Sequence, residues 1–292
     1  MDDLHIVTVA TESKYYFPYL LESCKRNGKD LTILGYGEKW RGFNWRLKLM
    51  ISYLKSLNPT DIVCFVDGYD VICLRNLNEL KDEFVRVTEN SNSKIIIGYN
   101  NLEYSYSIIK HVTNLFFGKT SNNLSLNAGT YIGYASNLLD VLSLIIDMNS
   151  DDDADDQILL TQYCNIYDDY FIDLDCDIFL TIQKSLQDIS TDVHIKNRTL
   201  TYNNNRPFFL HGPGCGYMDN ILIKLDYKLS KSINDELYNS FGNKVSLYIT
   251  PTIATVILLL VFAIILFFYF IFTAFKRRNY LVINTFNSNL PM

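Results

Sequence analysis

Basic residues are in short supply, and the deficit is largest where a folded domain is expected. The chain of 292 residues has 26 Lys and Arg against 32 Asp and Glu, a net charge of −6. Three of the bases, Lys276, Arg277 and Arg278, lie beyond residue 244, where there is no acid, so residues 1–244 hold 23 bases against all 32 acids. A surface of that sign repels a polyphosphate backbone, which excludes non-specific DNA or RNA binding. For the same reason an anionic small ligand would need a bridging cation. Cysteine is sparse as well. The six, at 24, 64, 73, 164, 176 and 215, include no Cys-x-x-Cys pair and lack the density of a disulfide framework or a zinc site. The chain has no Gly-x-Ser-x-Gly, His-Glu-x-x-His, Walker loop or Gly-x-Gly-x-x-Gly, so the hydrolase, zinc-protease, P-loop and dinucleotide signatures are missing. Alanine is rare at 7 residues, while Asn reaches 28, Ile 30 and Tyr 21. That is the bias of an AT-rich genome, as in large cytoplasmic DNA viruses and some protists.

What is present is a chain able to fold. Hydrophobic residues make up 48% and charged residues 20%, far from the composition of disordered segments. Short apolar runs at Ile6–Ala10, Leu31–Leu34, Ile62–Val66, Ile95–Gly98, Tyr131–Tyr134, Tyr170–Leu174 and Pro207–Leu210 read as strands. Between them, Leu47–Leu57 and Leu138–Ile146 carry apolar residues at helical spacing. Continuously apolar strands alternating with helices predict an α/β domain whose sheet is covered on both faces. No signal peptide is legible at the acidic N-terminus. Residues 245–275 are free of charge and rich in Ile, Leu, Val and Phe, and as a helix would cross a ~30 Å hydrocarbon layer with some tilt. The expected organisation is a domain over 1–244, one transmembrane helix over 245–275 and a short tail over 276–292. The bases at 276–278 place the tail in the cytosol by the positive-inside rule, whereas so short a tail reads as a tail anchor that leaves the domain cytosolic.

Three places could carry chemistry. Asp61–Asp70 is an apolar strand ending in Asp67-Gly68-Tyr69-Asp70, and ligands of open α/β sheets gather at the carboxyl ends of strands. Asp67 and Asp70 could converge on one divalent ion; the simpler alternative has Asp67 closing the strand and Asp70 capping the next helix. Arg206–Gly214 holds His211 at the end of an apolar run before glycines, a setting for an imidazole ligand or for a structural His. Manganese accepts such mixed carboxylate and imidazole ligation. Asp155-Asp156-Gln157 heads an apolar stretch, where the acids could offset a helix dipole or serve as a base or orienting pair for a substrate hydroxyl. The preceding Asp151–Asp153 read as a solvated face.

Taken in order, Thr8–Thr11, Leu34–Trp40, Phe65–Ile72, Asn127–Ala135, Asp155–Gln157 and His211-Gly212 resemble the glycosyltransferase domain of procollagen lysyl hydroxylases and procollagen galactosyltransferases, over roughly residues 4–220. The resemblance implies a GT-A-like three-layer sandwich with a mostly parallel, mixed central sheet. It also implies an Mn²⁺-dependent transfer of galactose or glucose from a UDP-sugar to an acceptor hydroxyl, with hydroxylysine of collagen-like protein as the implied acceptor. Carried over residue by residue, Asp67, Asp70 and His211 would hold Mn²⁺, Thr11 and Tyr69 would meet the uridine, Gly212 would line the donor site, and Asp155 and Asp156 would lie near the transferred sugar and acceptor. The chain departs from the family's His-Gly-Asn-Gly-Pro and its following Lys, reading His211-Gly-Pro-Gly-Cys-Gly216 instead. A membrane protein of this fold that binds without turnover, and a metal-dependent phosphohydrolase, are the competing readings. The expected location is an ER/Golgi-type or viral membrane.

Overall fold

The computed structural model describes residues 3–89, 93–100, 118–120, 122, 124–182, 193–213, 218–233, 235–236 and 259–269. The chain separates into two compact units, Met1–Leu237 and Tyr238–Met292. The first begins with β1 (Leu4–Val9), α1 (Phe17–Arg26), β2 (Leu31–Leu34), α2 (Phe43–Leu54), β3 (Ile62–Val66), β4 (Val71–Cys73), α3 (Leu80–Glu89) and β5 (Ile95–Tyr99). It continues with β6 (Leu126–Tyr134), α4 (Ala135–Met148), α5 (Asp156–Ile166), β7 (Tyr170–Asp173), β8 (Phe179–Thr181), β9 (Val193–Lys196), β10 (Thr199–Tyr202), β11 (Phe209–His211) and α6 (Asp219–Lys224).

Six strands form the central sheet in the order β2-β1-β3-β6-β5-β7. Only β6 runs against its neighbours, so the sheet is mixed and mostly parallel. Strand alternation sends Val63 and Phe65 into one core with α2, α4 and α5, and Ile62, Cys64 and Val66 into another with α1 and α3. Burial on both faces explains why β3 is apolar at every position. A second sheet, β4-β11-β8, packs on the α1 and α3 side, with Phe179 and Phe209 in the same core. Its other face meets β9, β10 and α6 through Leu180, Leu210, Leu200 and Ile221.

The seven predicted strands are all present, two with the expected bounds, β2 and β3. The helix expected over Leu47–Leu57 is α2, displaced four residues toward the N-terminus because Gly42, at φ 122°, starts it. A Cβ there would lie 2.0 Å from the carbonyl oxygen of Asp152. Asn44 uses the same close approach, bonding the carbonyls of Asn149 and Asp151 through its side chain and Asp152 through its backbone N–H. The run Asp151–Asp153 is therefore anchored by its backbone, and Asp152 pairs with Lys48, rather than forming a purely solvated face. In the second unit, 259–269 are helical and exposed. The rest of the expected span over 245–275 lies outside the described residues, among which no helix is long and apolar enough to cross a membrane.

The two sheets are joined at Asp173, which ends β7 and is 1% exposed. Its carboxylate accepts from the backbone N–H of Asp177 at 2.9 Å, Ile178 at 2.8 Å and Phe179 at 2.7 Å, and so fixes the entry to β8. Asp173→Ala leaves these donors unpaired in the interior and should cost on the order of 3 kcal/mol in urea unfolding. Asp173→Asn, which keeps one acceptor oxygen, should cost less.

Candidate metal and nucleotide-sugar site

The turn Asp67–Asp70 carries the chain from the large sheet to the small one. It passes tightly over the end of β1, where a Cβ on Gly68 would lie 3.0 Å from the carbonyl oxygen of Val9. Beyond it β4 pairs antiparallel with β11 and sets Val71 opposite His211. The N–H of Gly212 donates to the carbonyl of Asp70 at 2.9 Å and closes the connection. No helix follows Asp70, so capping does not explain its carboxylate.

This register brings Asp67, Asp70 and His211 together, with one donor atom from each within 4.8 Å of the others. His211 Nε2 lies 3.3 Å from Asp70 Oδ1 and 3.7 Å from Asp67 Oδ2. Adjacent donors on one octahedral ion, each about 2.1 Å away, sit about 3 Å apart, so small side-chain shifts suffice to share a cation. Two observations favour such an occupant. His211 is 1% exposed, yet neither ring nitrogen makes a well-aligned hydrogen bond among the described residues, and the close carboxylates of Asp70 and Asp67 are the polar groups at Nε2. Gly129 faces the cluster, and a Cβ there would lie 2.4 Å from Asp67 Oδ2 and 2.6 Å from His211 Cε1. The hard carboxylates and the imidazole fit a divalent ion such as Mn²⁺.

Electrostatics point the same way. Burial pushes the Asp67 carboxyl up to about 6, with Arg46 opposing the shift and Asp70 adding to it. Burial favours the neutral ring of His211, but the carboxylates of Asp70 and Asp67 outweigh it and hold the imidazole above its ordinary value.

A residue outside every expected motif ties this cluster to the second acid pair. Arg46, on the buried face of α2, donates through Nη1 to Asp67 and through Nη2 to Asp156. Its guanidinium lies 5.2 Å from the ring centroid of Phe65, which stacks on Tyr131. Asp156 is 5% exposed and held in this pair, whereas Asp155 is the N-cap of α5 and accepts from Ile158 N–H at 3.2 Å. Burial raises the Asp155 carboxyl above its usual range. Gln157 splices α5 onto β6, accepting from Ala128 N–H at 2.8 Å and donating to the Leu126 carbonyl. Asn127 accepts from the N–H of Gly129 at 2.8 Å and fixes the glycine that faces the cluster.

Thr11 and Tyr69 also meet. The Tyr69 hydroxyl accepts from the backbone N–H of Thr11 at 2.9 Å and of Glu12 at 3.3 Å, binding the end of β1 to the acidic turn. Of the residues expected from the sequence, the structure joins Asp67, Asp70, His211 and Gly212 directly, and Asp156 through Arg46. Arg46 has no motif to announce it; a cation set between the apolar positions Trp45 and Leu47 is its sole trace. Gly129 falls inside the segment Asn127–Ala135, but its role becomes visible only once β6 lies beside β3.

The sequence model of the PLOD GT domain matches residues 1–232. The chain belongs to that family. It is therefore a glycosyltransferase domain. Among curated proteins, procollagen-lysine,2-oxoglutarate 5-dioxygenase of Drosophila melanogaster is 26% identical over 239 residues, covering 75% of this chain and 31% of its own. The multifunctional procollagen lysine hydroxylase and glycosyltransferase of Caenorhabditis elegans is 26% identical over 242 residues, covering 73% and 31%. The chain thus spans less than a third of the length of these relatives. Similar solved structures include a glycosyltransferase involved in glycosylation of the major capsid of PBCV-1, at 11% identity and TM-score 0.45, covering 73% of this chain and 95% of that one. Another is galactosyltransferase LgtC with donor and acceptor sugar analogues, at 13% identity and TM-score 0.44, covering 81% and 95%.

Gly129→Ala places a methyl group between the ligands and should weaken Mn²⁺ binding by about tenfold or more, read by electron paramagnetic resonance titration with circular dichroism unchanged. Protons compete with the metal at Asp67 and His211, both of which hold theirs to higher pH than usual. Mn²⁺ affinity of the wild type should therefore rise by about tenfold or more from pH 5 to pH 7.5 as both groups give up their protons.

Proposed function

We propose that this domain is a metal-dependent glycosyltransferase that moves galactose or glucose from a UDP-sugar to an acceptor hydroxyl. The observation that carries the reading is the meeting of Asp67, Asp70 and the buried His211 around the space left by Gly129, in a chain of the PLOD GT domain family. Mn²⁺ held by those three residues would neutralise the diphosphate as it leaves. The remaining roles belong to the chain itself. Thr11 and Tyr69 form the floor for the uridine, at the carboxyl ends of β1 and β3, where open sheets receive nucleotides. Gly212, without a side chain, lets the donor approach the backbone beside His211. Asp156, fixed by Arg46, orients, and Asp155 at the helix N-cap faces the acceptor hydroxyl as base or hydrogen-bond acceptor. GT-A-like describes the layered sheet in this reading.

The acceptor is proposed to be hydroxylysine in collagen-like protein, in keeping with the names of the relatives. Residues 245–275 are proposed to anchor the domain in an ER/Golgi-type or viral membrane through a single span, on the strength of their unbroken apolar sequence. The full chain, incubated in detergent with Mn²⁺ and UDP-galactose or UDP-glucose, should release UDP, and chelation with EDTA should stop it. Asp67→Ala with Asp70→Ala should lower the rate by at least about a hundredfold, roughly 2.7 kcal/mol in barrier. Release that survives the double substitution would overturn the assignment.

A further inference from the structure

An acidic site that takes a nucleotide diphosphate gains from positive charge beyond that of one divalent ion, provided the charge can reach the ligand. The segment Gly212–Tyr217, which follows the metal-ligating His211, contains neither Lys nor Arg. Two cations of the described residues lie against the Asp67–Asp70 turn. Arg46 is one, but it is 7% exposed and its two terminal nitrogens are committed to Asp67 and Asp156. Lys14 is the other. Its ammonium lies 5.0 Å from the ring centroid of Tyr69 and 5.4 Å from that of Tyr15, and donates to Glu12 Oε1 at 2.8 Å.

The loop that presents Lys14 is held in place on all sides. The Tyr69 hydroxyl binds the N–H groups of Thr11 and Glu12 on one side of Lys14, and the Tyr69 carbonyl accepts from Tyr16 N–H at 3.2 Å on the other. Between them Tyr15 adopts a left-handed backbone with φ 52°, a conformation that costs a bulky residue energy and that clusters at functional sites. The result places an ammonium between two aromatic faces, beside the turn that carries two metal ligands. Its carboxylate partner, with a side chain 63% exposed, is open to solvent and readily exchanged for a stronger anion.

We propose that Lys14 is a donor-binding residue that leaves Glu12 to grip the phosphate end of the nucleotide. The proposal rests on the nucleotide-sugar reading above. A purely structural Lys14, packed on two rings, would affect the fold but not distinguish phosphates from nucleosides. The test is isothermal titration of the full chain with UDP, UMP and uridine in Mn²⁺, for wild type, Lys14→Met and Glu12→Gln. Lys14→Met should weaken UDP binding by about tenfold, leave uridine within about twofold and keep Mn²⁺ affinity in the absence of nucleotide. Glu12→Gln, which frees the ammonium, should bind UDP at least as tightly as wild type. Equal UDP affinity in wild type and Lys14→Met, or equal losses for UDP and uridine, would overturn the role assigned to Lys14. Failure of the wild type itself to bind UDP would instead bring down the nucleotide-sugar reading and this role with it.

Discussion

A single guanidinium holds the centre of this molecule together. Arg46 reaches from α2 to a carboxylate on the β3–β4 turn and to another in the first turn of α5, so three separate stretches of chain share one buried charge. Two acids this close, one buried and one half-buried, cannot remain ionised together without a counterion, and removing one partner of a buried group of this kind costs about 3–5 kcal/mol. Everything around it is arranged to keep the guanidinium still: the Phe65 ring lies beside it, Tyr131 supports that ring, and Gln157 keeps α5 attached to β6. With Arg46 spent on Asp67 and Asp156, the charge of Asp70 and the second oxygen of Asp67 are left facing His211, an excess of negative charge that a divalent ion would correct.

Much of the architecture was legible from apolar runs because the middle of the central sheet is buried on both faces. Ile62–Val66 shows no alternation, and its limits are the flanking acids Asp61 and Asp67. The small sheet was another matter. Val71–Cys73 and Phe179–Thr181 are three residues each, too short for any period to appear, and Pro207–Leu210 was placed two residues early because Pro207 and Phe208 precede the ladder rather than join it. Without β4 in view, capping the next helix is the simpler reading of Asp70.

The site divides along the same line. Asp67, Asp70 and His211 stand out by residue type and setting, but each also has a structural reading there, and only the resemblance carried by the ordered segments joins them as one ligand set; the domain match supports that family. Arg46 was invisible because its meaning lies in a contact between residues 21 and 110 positions away along the chain, and nothing in its neighbourhood records that. Asp155 and Asp156 appeared as an equivalent pair in sequence, yet one step along a helix start gives one of them a backbone N–H and the other a buried cation.

The pairing of β11 with β4 also governs how the gene can change. Side chains in a strand alternate between faces, so sliding β11 by one position would turn His211 away from the acids and into the opposite core. Insertions upstream are harmless only where the slack is taken up before the strand begins. Asn203 and Asn204, both in left-handed conformations at φ 46° and 69°, form a bend able to absorb such slack. Length variation in descendants of this protein should therefore collect at that bend, since a change passed on to β11 would disconnect the imidazole.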